Sequence, residues 1–251
     1  HSGLWGGRCP NPINELVGVL AQLHDEDGRV AIPGFYDDVQ GLTDQEREAW
    51  SNLPVDHTGA LEKIGYEPEA DRGESGFTSI EREWARPTAD INGIWGGYQG
   101  AGAKTVIPAS AGAKVSFRLV ADQQPDEIVE LFRKWLDERT PTGCRWEFHD
   151  LHGGNPGTVS TDSPYLATAR RALENASGTD AALIKSGGSI PVVGLLKSAL
   201  GLDTLLIGFG LDDDRVHSPN EKFELDCYRL GLATHAQLVE EFAKMGLQAS
   251  R

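Results

Sequence analysis

The first part of the chain shows helical spacing of its apolar residues. An Asn-Pro pair followed by apolar side chains every three or four residues predicts a helix near the start. These side chains are Ile13, Leu16, Val17, Leu20 and Leu23. Residues 28–75 are rich in Gly, Pro and Asp, which predicts an irregular excursion with short polar helical stretches.

A strand–helix–strand pattern follows. Apolar and polar residues alternate between glycines over 88–120, which predicts antiparallel strands. Residues 124–140 predict an amphipathic helix, and 144–154 predict another strand. The apolar face of the helix is formed by Ile128, Phe132, Trp135 and Leu136. This order resembles a split βαβ sandwich whose first strand lies upstream of residue 1.

The pattern changes after about residue 155. A Ser-Pro pair predicts a helix over 163–177, and residues 180–201 predict a short strand turning into a helix. Residues 203–210 predict a buried strand, and 218–245 predict a long closing helix. Helices that alternate with apolar strands indicate an α/β layer with a parallel sheet.

Composition narrows the classes of function. The 251 residues carry a net charge of −15, which argues against a nucleic-acid partner because phosphates would be repelled. No apolar run approaches the roughly 20 residues of a membrane span. Three cysteines without C-x-x-C spacing favour a reducing compartment, and we therefore expect a cytoplasmic protein.

His217 is the first candidate for chemistry. It precedes a Ser-Pro-Asn-Glu string that matches a capping box with proline at the first helical position. The histidine is therefore expected just before a helix and beyond the end of a strand, where ligands collect in open α/β sheets. A neutral imidazole there can bind a divalent cation, and Asp212, Asp213 or Asp214 could orient its other nitrogen or hold the site negative. The alternative is a surface histidine beside solvated acids.

Several other residues could hold an anion. Gly188 and Ser189 precede a predicted helix, so their turn is either an N–H cradle or an ordinary strand-to-helix connection. Arg118 in an apolar strand could grip a carboxylate or pair with a neighbouring strand. His1 and His152 each precede glycine, which would let a ligand approach closely, although loop histidines are often merely exposed.

Six short strings together resemble one family. They are HSGLWGG, GAGAKTVIP, FRLV, HGGNP, GGSIP and HSPNE, in this order and spacing over nearly the whole chain. They are similar to strings of the dinuclear zinc metallopeptidases of the carnosinase and cytosolic nonspecific dipeptidase group. That group shares a clan with carboxypeptidase G and succinyl-diaminopimelate desuccinylase.

The resemblance implies an α/β fold in two parts. Residues 1–153 would form a ferredoxin-like α+β lid and dimerisation domain that lacks its first strand. Residues 154–251 would form the carboxyl-terminal part of an α/β zinc-peptidase catalytic domain. The lid would form a homodimer.

The resemblance also implies roles for single residues. His217 matches a metal ligand, and His1 matches a lid histidine that steadies the oxyanion in the partner's active site. Thr105, by itself only a β-former, matches a substrate-binding residue presented across the dimer. Four residues match family positions that hold the substrate, chiefly its terminal carboxylate: Arg118, His152, Gly188 and Ser189.

The chain also departs from the family pattern. Ser186 stands where dipeptidase-type relatives tend to carry an acid, which puts substrate preference in doubt. No H-x-D string occurs, and the one adjacent glutamate pair, Glu240–Glu241, lies in the last predicted helix, where a solvated face explains it. The chain is therefore expected to carry one metal ligand and no general base.

The implied activity is metal-dependent hydrolysis of dipeptides or N-acyl amino acids by a complete homodimer. Two divalent cations would be bound, with Zn²⁺ expected and Mn²⁺ or Co²⁺ as alternatives. The catalytic amino-terminal half is expected to be absent from this chain, which would then be inactive alone. The alternative is a non-catalytic dimerisation scaffold of the same family. We expect neither a membrane nor a nucleic-acid partner.

Overall fold

The computed structural model describes residues 1–53, 55, 57–151, 153–157, 159, 161–187, 190–202, 204–211 and 213–249. The chain forms two compact units. The first comprises mainly residues 1–48 and 72–156, and the second mainly 49–71, 157–185 and the residues from 190 onward. The assignment of a lid to 1–153 and of a catalytic part to 154–251 stays a prediction.

The elements are mostly helical. In chain order they are α1 (Ser2–Trp5), α2 (Pro12–Leu20), α3 (Asp44–Ser51), α4 (His57–Lys63), a 3-10 helix (Pro68–Ala70), α5 (Ser79–Ala85), β1 (Thr88–Gly96), β2 (Ala111–Arg118), α6 (Pro125–Asp137), α7 (Pro164–Ser177), α8 (Pro191–Leu200) and α9 (Leu225–Ala249). Among the residues described, no helix is both long enough and apolar enough to cross a membrane.

Helix α2 begins as its sequence predicts. The Asn11 side chain accepts a hydrogen bond from the Ile13 N–H, and proline occupies the first helical position. Not every apolar residue at this helical spacing is covered, because Val17 is about half exposed. Val19, three residues after Leu16, lies on the buried face instead.

Helix α6 supplies the centre of the core of the first unit. The four residues predicted for its apolar face are all buried, so both the helix and its orientation are confirmed. The Phe132 ring lies 5.1 Å from Phe117 and 6.0 Å from Phe148, between centroids. Phe132 thus joins β2 on one side to the segment after α6 on the other.

Strands β1 and β2 form the predicted antiparallel pair. Ala89 faces Phe117 across the ladder, and Trp95 faces Gly112 after a bulge near Asn92. The Trp95 ring lies so close to Gly112 that an added Cβ would stand 2.3 Å from it. The loop that connects the two strands lies at one end of this hairpin, and Arg118 lies at the other end.

The strand predicted over 144–154 is not formed by the residues described in that stretch. Trp146 and Phe148 do alternate toward the core, as the pattern requires. The Trp146 indole N–H, however, donates to the Leu136 carbonyl at 2.9 Å. The alternation therefore reflects packing against α6 without a backbone ladder.

The second unit is built around α7 and α9. Ala169, Ala172 and Leu238 form its buried cluster, and Leu205 and Ile207 pack against that cluster from the segment between α8 and α9. The predicted helix over 163–177 is confirmed.

The predicted parallel sheet is wrong for the residues described beyond 155, which form no strand ladder there. Leu206 is 63% exposed and Ile184 is 60% exposed, so neither predicted strand is buried on both sides. The apolar residues of these segments that are covered pack on helices instead.

Candidate functional site

His1 is held by its own turn. Its Nδ1 accepts a hydrogen bond from the Gly3 N–H at 3.0 Å, at the start of α1. A nitrogen that accepts such a bond carries no proton, so the neutral ring has its proton on Nε2. The ring is exposed, and His1 therefore offers an Nε2–H donor to its surroundings.

Gly3 leaves room for this arrangement. A Cβ at that position would stand 2.9 Å from the His1 Cε1 and 3.0 Å from Nδ1. Any larger residue at position 3 would push against the imidazole ring, which can turn away more easily than the backbone can move. The glycine of the HSG string thus has a steric reason to be there.

The structure brings His1 and Thr105 together. The Ser2 N–H donates to the Thr105 carbonyl at 2.8 Å, so the turn that carries His1 is tied to the loop between β1 and β2. Both His1 and Thr105 are exposed. Two residues that lie more than a hundred positions apart in sequence therefore form one surface.

Arg118 ends β2, opposite Thr88 in the ladder. It is exposed, whereas Phe117 beside it points to the core. The role of Arg118 in binding stays a prediction.

Three predicted site residues fall outside the part of the chain that the structure describes. They are His152, Gly188 and Ser189. The predicted N–H cradle therefore stays a prediction. The helix expected after that turn is confirmed, because α8 begins at Pro191.

His217 lies in a loop, not in front of a helix. The predicted capping box is wrong, because α9 begins only at Leu225. Residues 215–220 form successive turns, and three non-glycine residues there have positive φ: Arg215 at 55°, His217 at 61° and Asn220 at 62°. Such backbone angles are sparsely populated and persist only where neighbouring contacts hold them.

The loop is closed by Asp214 and Lys222. The Lys222 N–H donates to the Asp214 carbonyl at 3.0 Å, and the Lys222 ammonium donates to the Asp214 carboxylate at 3.2 Å. The other carboxylate oxygen accepts the Leu211 N–H at 2.7 Å. This backbone donor, followed by the Lys222 ammonium, holds the pKa of Asp214 below its ordinary value of 3.8, against the opposing effect of burial.

Of the three acids that could orient the His217 ring, Asp212 lies outside the residues that the structure describes. Asp213 and Asp214 both contact Lys222, and neither orients the His217 ring. The His217 side chain is exposed and makes no hydrogen bond with the residues described. An exposed ring of this kind fits both alternatives, a metal ligand and a surface histidine, so the ligand role stays a prediction.

The described residues do not form a complete metal centre by themselves. Among them, no group of three His, Cys, Asp or Glu side chains could hold a metal ion. Gly3 and Lys222 were not predicted from the sequence. The glycine in HSG was a signal for the first, whereas Lys222 is indistinguishable from a solvated surface charge until its contacts are known.

The first part of the chain matches a family model described as the peptidase dimerisation domain of the M20 peptidases, over residues 1–144. Curated relatives include the Cys-Gly metallodipeptidase dug1 of Schizosaccharomyces pombe. It is 29% identical over 252 residues, which cover 98% of this chain and 52% of that relative. The Beta-Ala-His dipeptidase of Rattus norvegicus is 27% identical over 250 residues, which cover 98% of this chain and 50% of that relative.

A solved structure is also similar. The M20 family metallo-carboxypeptidase Sso-CP2 from Sulfolobus solfataricus matches with a TM-score of 0.80 and 29% identity. The match covers 96% of this chain and 55% of that one. The chain thus spans about half the length of the proteins it matches.

Proposed function

Because the chain belongs to the M20 peptidase family, we propose that it serves in metal-dependent hydrolysis of dipeptides or N-acyl amino acids. It would supply the dimerisation domain and one metal-ligating histidine of the complete enzyme. The remaining metal ligands and the general base would lie outside this chain. The activity, substrates and partner proposed here are those of the whole protein.

The observation that carries the proposal is the junction of His1 and Thr105. Both are exposed, and the Ser2 N–H binds the Thr105 carbonyl at 2.8 Å. The resemblance assigns both residues to the active site of the partner subunit. We therefore propose a homodimer in which this surface of one protomer completes the site of the other.

His1 would stabilise the transition state. Its Nε2–H would donate to the carbonyl oxygen as negative charge develops there during attack on the amide. Removal of one such donor typically lowers kcat by about 10²–10³-fold. The bond to Gly3 would keep the ring in the tautomer that this task requires.

The other residues would bind the substrate. Arg118 would grip the terminal carboxylate, which favours short substrates over long chains. Thr105, His152, Gly188 and Ser189 would complete this pocket. His217 would hold one of two divalent cations, with Zn²⁺ expected and Mn²⁺ or Co²⁺ as alternatives. When bound, such ions activate a water molecule and polarise the scissile carbonyl.

The proposal extends to the domains and the compartment. Residues 1–153 would be a ferredoxin-like lid that lacks its first strand, and 154–251 the end of the catalytic domain. We propose the cytoplasm as the compartment, because three cysteines without C-x-x-C spacing suit a reducing environment.

A non-catalytic scaffold is the second candidate. It is favoured by the match of residues 1–144 to a peptidase dimerisation domain. In that case the dimerisation surface would persist without hydrolysis.

An assay of the full-length protein separates the two. We expect Zn²⁺-dependent hydrolysis of Cys-Gly and β-Ala-His, abolished by a chelator and restored by added metal. Arg118→Ala should raise KM for these dipeptides at least about tenfold, because a charged hydrogen bond contributes about 1.5–3 kcal/mol. The same change should leave hydrolysis of a substrate with an amidated terminus nearly unchanged. Absence of hydrolysis with every metal tested would favour the scaffold.

A further inference from the structure

The two ends of the loop that carries His217 lie close together. Its ends meet where the Lys222 N–H binds the Asp214 carbonyl at 3.0 Å. Within it, the Ser218 N–H donates to the Arg215 carbonyl at 2.9 Å. Three residues between these ends have positive φ angles, which persist only where surrounding contacts hold them.

Asp214 binds both sides of that closure. One carboxylate oxygen accepts the Leu211 N–H before the loop, and the other accepts the Lys222 ammonium after it. The residue is 2% exposed, although its neighbours in the loop are exposed. A carboxylate in such a buried position must keep its donors, because an unpaired buried charge is strongly unfavourable.

We infer that Asp214 and Lys222 are positioning residues that fix the backbone angle of His217, and hence the direction in which its imidazole meets a metal ion. The inference rests on the proposed function for the ligand role of His217. It assigns a role in metal binding to two residues that touch neither metal nor substrate and that act through the loop between them.

An ordinary surface ion pair is the alternative for this cluster. Asp213 and Glu224 fit that description, because their side chains are 67% and 51% exposed while they bind the same ammonium at 3.1 and 2.9 Å. Asp214 differs in its burial and in its bond to the Leu211 N–H. Asp213 is therefore a matched control, adjacent in sequence and bonded to the same lysine.

The experiment compares Asp214→Asn with Asp213→Asn in the full-length protein. Zn²⁺ affinity is measured by competition with a chromogenic chelator, with His217→Ala as the reference for loss of the ligand. Asp214→Asn should weaken Zn²⁺ binding at least about tenfold, as loss of partners that orient a metal ligand does. Asp213→Asn should change it less than about twofold. Lys222→Met should act in the same direction as Asp214→Asn.

Hydrogen exchange in the metal-free protein gives a second readout. Asp214→Asn should speed exchange of the Leu211 and Lys222 amides at least about tenfold, because their closing bonds open, while α7 and α9 keep their protection. Unchanged Zn²⁺ affinity in Asp214→Asn, with a clear loss in His217→Ala, would overturn the inference alone. Unchanged affinity in His217→Ala would overturn the ligand role itself, and with it the proposed function of this loop.

Discussion

At the scale of single residues, the hydrogen bond between Gly3 and His1 determines which imidazole nitrogen is a donor. The Gly3 N–H donates to Nδ1, so the proton of the neutral ring lies on Nε2. The Nε2–H group could then donate a hydrogen bond to an oxyanion. The position of this donor depends on a residue without a side chain, because a Cβ at Gly3 would press on the ring.

We therefore expect Gly3→Ala to lower kcat of the full-length protein by roughly tenfold, with KM within about twofold of wild type, because a displaced donor weakens transition-state binding. Steady-state kinetics measure both constants. Gly18→Ala is the control, since a Cβ there meets nothing within 4 Å. Gly3→Ala should add no further loss to His1→Ala; an equal loss in that background would mean that Gly3 acts elsewhere.

The backbone around His217 could not be predicted from the sequence, and the roles proposed for the site residues stay predictions. The Ser-Pro-Asn-Glu residues after His217 satisfy a capping pattern without forming a helix. Five residues after His217, the Lys222 N–H closes the loop by donating to the Asp214 carbonyl. This contact favours turns where the pattern predicts the first turn of a helix. Such a contact depends on where the loop ends meet, and local spacing does not reveal it.

At the scale of elements, α6 shows why helices were the most predictable part of the fold. Its strong 3.6-residue pattern and its N-terminal proline specify both its position and its buried face. The strands predicted for the second unit are not formed by its described residues, since alternating residues such as Leu205 and Ile207 pack equally well against helices.

Phe132 on α6 should be essential for the stability of the first unit. Because it packs between Phe117 and Phe148, Phe132→Ala should lower the free energy of unfolding by about 3–5 kcal/mol. Urea denaturation followed by circular dichroism measures this change. The exposed control Glu130→Ala should stay within about 0.5 kcal/mol of wild type. A loss below about 1 kcal/mol in Phe132→Ala would contradict the core assignment.

The α7–α9 pair should weaken in acid. Lys244 on α9 lowers the pKa of Glu241 from its ordinary 4.5, and Arg171 on α7 lowers it further, 3.5 Å away. A depressed carboxyl pKa stabilises the folded state above the unfolded pKa, and this stabilisation is lost as the pH falls through the folded value. Because Arg171 lies on α7 and Glu241 on α9, this loss also weakens the contact between the two helices.

Thermal unfolding at two pH values tests this. Glu241→Gln should lower the unfolding midpoint at pH about 6, where the wild-type carboxylate is charged, and the difference should shrink toward zero below pH about 3. Glu240→Gln is the control, because Glu240 binds Lys244 on its own helix and is 59% exposed. A difference that is constant between the two pH values would show that the charge of Glu241 is unimportant.

At the scale of the whole molecule, six short strings were sufficient to identify the family. The match of the peptidase dimerisation domain to residues 1–144 and the relatives at 27–29% identity confirm this resemblance. The coarse α/β class is confirmed as well, whereas the ferredoxin-like topology of the lid stays a prediction. Strand order depends on long-range pairing, which no single stretch of sequence determines.

The central claim is that His1 of one protomer and His217 of the other serve the same active site. It is tested most directly by mixing two inactive variants of the full-length protein, His1→Ala and His217→Ala, after dissociation and reassociation. In a mixed dimer one site would then have both histidines and the other neither. A double variant mixed with His1→Ala is the control, since no site there is complete. The account predicts recovery to about a quarter of wild-type activity, because about half of the dimers are mixed and each has one intact site. Activity that stays at the level of the unmixed variants, in dimers shown to have exchanged, would contradict it.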